Sequence, residues 1–184
     1  MTSGIDGPAL EIGRYRGRVA GPTVVIIGGI HGNEPAGVSV ARSVLARLVN
    51  EAPPLAGEVV AFAANGCALA AERRYLARDL NRQWTTARVA AAREIVAADA
   101  RCADPETIAL ARLADALDDV LMRARGPLFA FDLHTTSAAG AAFAIVGDTD
   151  ADRAFAARFA LPGVVGLQET LEGVLGQHLG ARGC

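Results

Sequence analysis

The run Thr23-Val24-Val25-Ile26-Ile27 constrains the fold of this chain more than any other stretch. All five residues are β-branched, and Gly21-Pro22 and Gly28-Gly29 flank them, which favours a strand buried on both faces, as in a parallel sheet. A glycine-rich turn follows, Gly28-Gly29-Ile30-His31-Gly32-Asn33-Glu34, and then Pro35, whose fixed φ and missing donor suit the first turn of a helix. Apolar residues then recur at Val40, Ala41, Val44, Leu45 and Leu48, the spacing of one helix face. Strand, turn and helix make half a βαβ unit, and the turn falls at the carboxyl end of the strand, where open α/β sheets build their sites. The expected fold class is therefore α/β, a mainly parallel, twisted mixed sheet flanked by helices.

Inside that turn, the spacing His31-x-x-Glu34 lets an imidazole and a carboxylate converge, and both are zinc ligand types. Taken alone the pair is weak: three histidines, each with about a 9 in 184 chance of a glutamate three places on, give roughly 0.15 accidental cases. A surface His beside a Glu favoured by the helix dipole would look the same. The second buried strand, Leu128 to His134, changes the balance, because it is apolar until Asp132-Leu133-His134. Alternation puts Asp132 and His134 on one face, at the same edge of the sheet as His31 and Glu34. His134 then completes three metal ligands, and Asp132 is placed to orient a ligand imidazole through its other nitrogen. Between them, Asn65, Arg73, Arg74, Tyr75, Arg78, Asp79, Asn81 and Arg82 crowd into the loop from Asn65 to Trp84. Loops of that length are usually functional, and planar guanidinium and amide donors suit a carboxylate.

The remaining elements are plainer. Leu10 to Arg18 reads as an outer strand and Glu58 to Ala63 as a second short strand ending in a turn at Asn65-Gly66. Ala87 to Ala98 reads as a helix, and Asp104-Pro105 as an N-cap and first residue of another, carrying Ile108, Ala111, Leu113, Leu117, Val120, Leu121 and Ala124. Ala141 to Val146 is expected to be a strand, Asp150 to Phe159 a short helix, and Leu171 to Leu179 a closing helix on which His178 is a surface or packing residue.

At 184 residues the expectation is one domain, residues 1–184, with a substantial core. The 52% hydrophobic fraction leans on alanine, and no apolar run approaches the ~18 residues that span a bilayer, so neither a membrane span nor a membrane partner is expected. The N-terminus lacks the charged start and apolar stretch of a secretory signal. Cysteines at 67, 102 and 184 are odd in number and scattered, which suits reduced thiols in the cytoplasm. All 18 basic residues are arginine, a bias of the whole chain, and a net charge of -2 without a basic block argues against nucleic acid.

Gly29-Ile-His-Gly-Asn-Glu34, Asn65, Arg74-Tyr75, Asp79-Leu-Asn-Arg82 and Asp132-Leu-His-Thr-Thr136, in that order, resemble the succinylglutamate desuccinylase and aspartoacylase family, relatives of the zinc carboxypeptidases. The resemblance covers about residues 23 to 136. It implies a zinc ion held by His31, Glu34 and His134, an Arg74 that polarises the scissile acyl oxygen, and Asn81 and Arg82 holding a carboxylate of an N-acyl amino acid. It also implies a general-base glutamate on a strand after a helix like Thr170 to Leu179, followed by a smaller β-rich domain. The sequence stops at Cys184, and Glu169 and Glu172 match no catalytic position. The expectation is thus a zinc-dependent amidohydrolase acting on a small N-acyl amino acid, with this chain a fragment that lacks the base. A non-catalytic zinc- or carboxylate-binding domain and a metallocarboxypeptidase are the alternatives. Homo-oligomerisation and the identity of the acyl group stay open.

Overall fold

Residues 10–136, 139–167 and 170–184 are described by the structure, a computed structural model. Four strands form the main sheet in the order β1-β3-β2-β4: β1 (Glu11–Arg16), β2 (Val19–Gly28), β3 (Ala56–Ala63) and β4 (Leu128–Leu133). The β-branched run lies at its centre, where β2 pairs in parallel with both β3 and β4, while β1 runs antiparallel along the outside of β3. Gly28 is opposite Ala63 on one side and Leu133 on the other, so the three parallel strands end level. That common register brings the turn after β2, Asn65 after β3 and His134 after β4 to one edge.

Both faces of the sheet are covered, as a continuous apolar strand requires. On one face Val25, Ile27, Val60 and Phe62 pack with α3 (Thr86–Asp99) and α4 (Pro105–Arg123), whose Leu113, Leu117 and Val120 are fully buried. Each such side chain contributes roughly 1.5–3 kcal/mol relative to leaving it exposed. On the other face Ile26, Val59 and Ala61 meet Ala41 and Leu45 of α1 (Ala36–Glu51). The N-cap expected at Asp104 is present, its carboxylate accepting from the Thr107 N–H with Pro105 in the first turn.

The face that α1 buries differs from the expected stripe: Gly37, Val38, Ala41 and Leu45 are inward, whereas Val40 and Val44 are 51% and 37% exposed. The cause is a glycine contact. A Cβ on Gly28 would lie 2.5 Å from the Gly37 carbonyl carbon, and one on Gly37 would lie 2.7 Å from the Leu133 carbonyl oxygen. Backbone against backbone at that point fixes the helix's rotation, which the period of its apolar residues does not. The expected strand from Leu10 to Arg18 is also divided, since the chain turns at Gly17, whose N–H donates to the Gly57 carbonyl, and re-enters the sheet at Val19.

Beyond α4 the elements are short. The strand expected over 141–146 is β5 (Ala144–Val146), pairing in parallel with an unanticipated β6 (Gly163–Val165) in a separate sheet. Between them α5 (Asp150–Ala156) stacks Phe155 on Phe129 of β4, ring centroids 4.4 Å apart. The closing helix α6 covers only Leu175–Gly180, because Gly173 takes φ +71 and breaks the run expected to start at Leu171. A further short helix, α2 (Gly66–Ala70), is capped by the Asn65 side chain in place of the simple turn expected there. None of the described helices is long and apolar enough to cross a membrane.

Candidate metal centre

The turn after β2 is shaped by glycines that let it lie against α2. Gly29 has φ +68, and a Cβ on Gly32 would fall 2.1 Å from the Ala68 carbonyl carbon, so the chain passes there only without a side chain. The Glu34 N–H returns to the His31 carbonyl at 3.1 Å, and the two side chains meet at 3.1 Å between Nδ1 and Oε1. His134, one residue past β4, brings its Nδ1 to 3.0 Å from the other Glu34 oxygen, and the Thr135 N–H donates to that same oxygen at 2.9 Å. The imidazole centroids are 5.0 Å apart, and one ligand atom from each of His31, Glu34 and His134 lies within 4.8 Å of the others.

The far nitrogens are held as well. His31 Nε2 is 3.1 Å from Asp79 Oδ1, and His134 Nε2 is 3.0 Å from Asp132 Oδ2. A carboxylate only accepts, and each ring lies between two of them; a metal seated between the rings beside Glu34 would take Nδ1 and leave Nε2 to donate to Asp79 or Asp132. These donors fit zinc: imidazole and carboxylate are among its protein ligands, and bonds of about 2.0–2.2 Å in tetrahedral array would separate ligand atoms by about 3.4 Å, between the 3.0 Å of the closest pair and the 4.8 Å that bounds the set.

Opposite charges at the centre hold one another ionised. Burial pushes Glu34 up, but the Thr135 N–H and the charges of His134 and His31 outweigh it, and its pKa falls below the ordinary value. Burial likewise opposes ionisation of Asp79, yet the hydrogen bonds and charges of His31 and Arg74 hold it far below the usual carboxylate range. For His134 burial disfavours the charged ring, but Asp132 and Glu34 prevail, and its pKa is pushed up to about 9.

Arg74 leans over this cluster, its NH2 3.1 Å from Asp79 Oδ2 and its NH1 3.7 Å from Glu34 Oε1, with 45% of the side chain exposed. Asn81 lies at the rim: Nδ2 is 3.4 Å from His134 Nε2, while Oδ1 accepts from the Leu175 N–H at 2.9 Å. Arg82 is next in sequence but folds back, donating to the Asn81 carbonyl at 2.7 Å. The structure thus brings His31, Glu34, His134, Asp132, Arg74 and Asn81 together and turns the Arg82 guanidinium onto the backbone. Of the other loop arginines, Arg78 pairs with Asp104 at 2.8 Å. His178 packs on Trp84, ring centroids 5.3 Å apart, and burial lowers its pKa. Glu172 is exposed in the turn ahead of α6 and not in a helix start, and Glu169 lies outside the described residues.

Two roles here have no signal in the sequence pattern. Asp79 orients His31, and Glu106, wholly buried, receives hydrogen bonds from Asn65 and from the loop just before Asp79. Asp79 stands in the polar stretch, so composition could raise it; nothing local distinguishes Glu106 from an acidic residue in a helix's first turn.

A mixed sheet with helices on both faces and this triad at the ends of its parallel strands is a zinc carboxypeptidase-like α/β fold. The chain belongs to the succinylglutamate desuccinylase/aspartoacylase family, matching its catalytic domain over residues 20–173. Among solved structures it is similar to the ectoine utilization protein EutE (DoeB) of Ruegeria pomeroyi in a product-bound form, with 24% identity and a TM-score of 0.55, covering 92% of this chain and 49% of that one. The succinylglutamate desuccinylase of Chromobacterium violaceum aligns at 23% identity and TM-score 0.54, over 73% of this chain and 39% of that one. The succinylglutamate desuccinylase/aspartoacylase of Rhodobacter sphaeroides gives 25% and 0.52, over 92% and 47%. The chain therefore spans less than half the length of each. No curated protein matches it significantly.

Proposed function

We propose that this chain holds zinc through His31, Glu34 and His134 and serves the hydrolytic removal of an acyl group from an N-acyl amino acid. The observation that carries the reading is the shared direction of the two imidazoles: both Nδ1 atoms face Glu34 while Asp79 and Asp132 hold both Nε2 atoms. When bound, the metal would supply Lewis acidity toward the acyl oxygen and toward water.

The protein's own groups divide the rest of the work. Arg74 has a half-exposed guanidinium beside Glu34, where it can meet negative charge that develops on the acyl oxygen. Asn81, at the rim, and Arg82, once its fork swings off the Asn81 carbonyl, would hold the carboxylate of the amino acid, a charge present before and after reaction. Asp132 and Asp79 keep the ligand rings in one tautomer and orientation. The carboxylates at the centre are all engaged with imidazoles, so we place the general base outside the described residues. The same engagement favours a second reading, a zinc-binding domain that polarises substrate without turnover. Three free cysteines suit a reducing compartment, and we assign the chain to the cytoplasm.

The test is zinc content after dialysis, followed by hydrolysis of N-succinyl, N-acetyl and dipeptide substrates by the zinc-loaded chain. One zinc with slow deacylation supports the proposal, one zinc with no turnover the binding-domain reading, and preferential dipeptide cleavage a carboxypeptidase. No retained zinc would reject all three.

A further inference from the structure

We propose that Glu106 is a positioning residue for the metal centre, a buried clamp that fixes the loop carrying Arg74 and Asp79; this rests on the zinc reading of the triad. Glu106 is the second residue of α4 and is 0% exposed. A carboxylate taken out of water is costly unless its oxygens are fully hydrogen-bonded or paired. Among the described residues Glu106 has no ion-pair partner, and the helix N-terminus and neutral donors satisfy it instead. Its Oε1 accepts from Asn65 Nδ2 at 3.2 Å and from the Leu76 N–H at 2.8 Å; its Oε2 accepts from the Ala77 N–H at 2.9 Å and, more weakly, from the Arg78 N–H at 3.4 Å.

Three consecutive amides thus close on one side chain, immediately before Asp79. Residues 71–79 belong to no helix or strand, so no backbone ladder sets their path. At its ends the segment has other anchors: upstream the Gly32 N–H donates to the Arg74 carbonyl at 3.2 Å and the Arg73 N–H to the Ala68 carbonyl at 3.0 Å, and downstream the Asp79 carbonyl accepts from the Arg82 N–H at 3.1 Å and from Gln83 Nε2 at 3.2 Å. Between those ends, at residues 76–78, Glu106 is the group that fixes the backbone, and Asp79 follows directly, its Oδ1 shared by His31 Nε2 and the Asn81 N–H and its Oδ2 bonded to Arg74. The line of action therefore runs from Glu106 through the 76–78 amides to Asp79 and the His31 ring.

Glu106→Gln isolates this role because it preserves shape. Donors occupy both oxygens, so either orientation of the glutamine amide sets an NH2 against N–H donors. In E106Q, amide exchange at residues 76–78 of the metal-free protein should rise at least tenfold, and zinc affinity, read by competition with a chromophoric chelator, should weaken about tenfold, the lower end for partners that orient a ligand. Glu106→Asp, which keeps both oxygens on a shorter arm, should fall between E106Q and the native chain and serves if E106Q does not fold. Leu117→Ala in the same helix is the control for lost stability alone: it should lower the melting temperature without changing exchange at 76–78 relative to the rest, or zinc affinity. Unchanged exchange in E106Q would overturn the clamp. Faster exchange with native zinc affinity would overturn its action on the centre. Failure of the native chain itself to bind Zn2+ would overturn the metal reading, and is seen before any variant is made.

Discussion

The two imidazoles of the centre are mirror cases in chemistry and opposites in origin. His134 stands at the end of an edge strand and takes its orienting carboxylate, Asp132, from two residues upstream on that strand. His31 follows the central strand, is 4% exposed, and takes its carboxylate from a loop 48 residues away. One half of the site is built by strand geometry alone; the other depends on tertiary packing that ends at Glu106. A short-range pair should tolerate perturbation of the loop, and a long-range pair should not.

Removal of the ligands themselves gives the largest expected effect. His31→Ala with His134→Ala should leave no zinc after dialysis, measured by atomic absorption, and the contrast between the two halves vanishes because neither can hold the ion alone. The comparison is broken open one level out. Asp79→Asn and Asp132→Asn should each weaken zinc by about 10- to 100-fold, the usual cost of losing a partner that orients a ligand. Asp79→Asn should be the worse of the two, since it also releases Arg74 and acts on the more buried ring. Equal losses in chelator competition would mean that origin does not matter.

Acidity sharpens the same contrast. With the His134 pKa raised to about 9 in the metal-free chain, zinc competes with a proton throughout the neutral range. Apparent affinity should fall about tenfold per pH unit below about 9, with isothermal titration as the readout. In Asp132→Asn that dependence should begin at lower pH. Without metal the sign is reversed for stability: the raised pKa of His134 contributes stability that is fully present below its unfolded value of about 6.5 and is lost as pH rises through about 9. The depressed pKa of Asp79 contributes stability above its unfolded value, lost as pH falls through the acid range. Melting curves from pH 3 to 10 should therefore decline at both ends.

The smallest effects are on the fold rather than the site. Val40→Thr and Val44→Thr should change stability by less than about 0.5 kcal/mol, as exposed positions do, whereas Leu45→Ala should cost about 2–5 kcal/mol. Urea unfolding separates the two.

What can be read in the sequence follows the same division. His31-x-x-Glu34 is legible because three residues of turn bring its members together, and His134 with Asp132 because alternation along a strand does. The central strand is legible from its β-branched run, and α4 from Asp104-Pro105. Asp79 is legible as part of the polar loop and its motif, but its pairing with His31 is not, and neither is Glu106, since no period links a residue to a partner 30 or 48 positions off. The buried face of α1 escapes the apolar period because the contact of Gly28 with Gly37 sets it. The closing helix is shorter than its sequence suggests: Leu171 continues an apolar rhythm across Gly173, whose positive φ and close approach to the Arg82 carbonyl make a turn.

The central claim is that both imidazoles present Nδ1 to one zinc ion while their Nε2 atoms stay with carboxylates. A zinc-loaded crystal measured on both sides of the metal's absorption edge tests it directly. The account predicts a single anomalous peak bonded to His31 Nδ1, His134 Nδ1 and Glu34 at about 2.0–2.2 Å. A peak bonded to Nε2 of either ring, or lying away from Glu34, would contradict it.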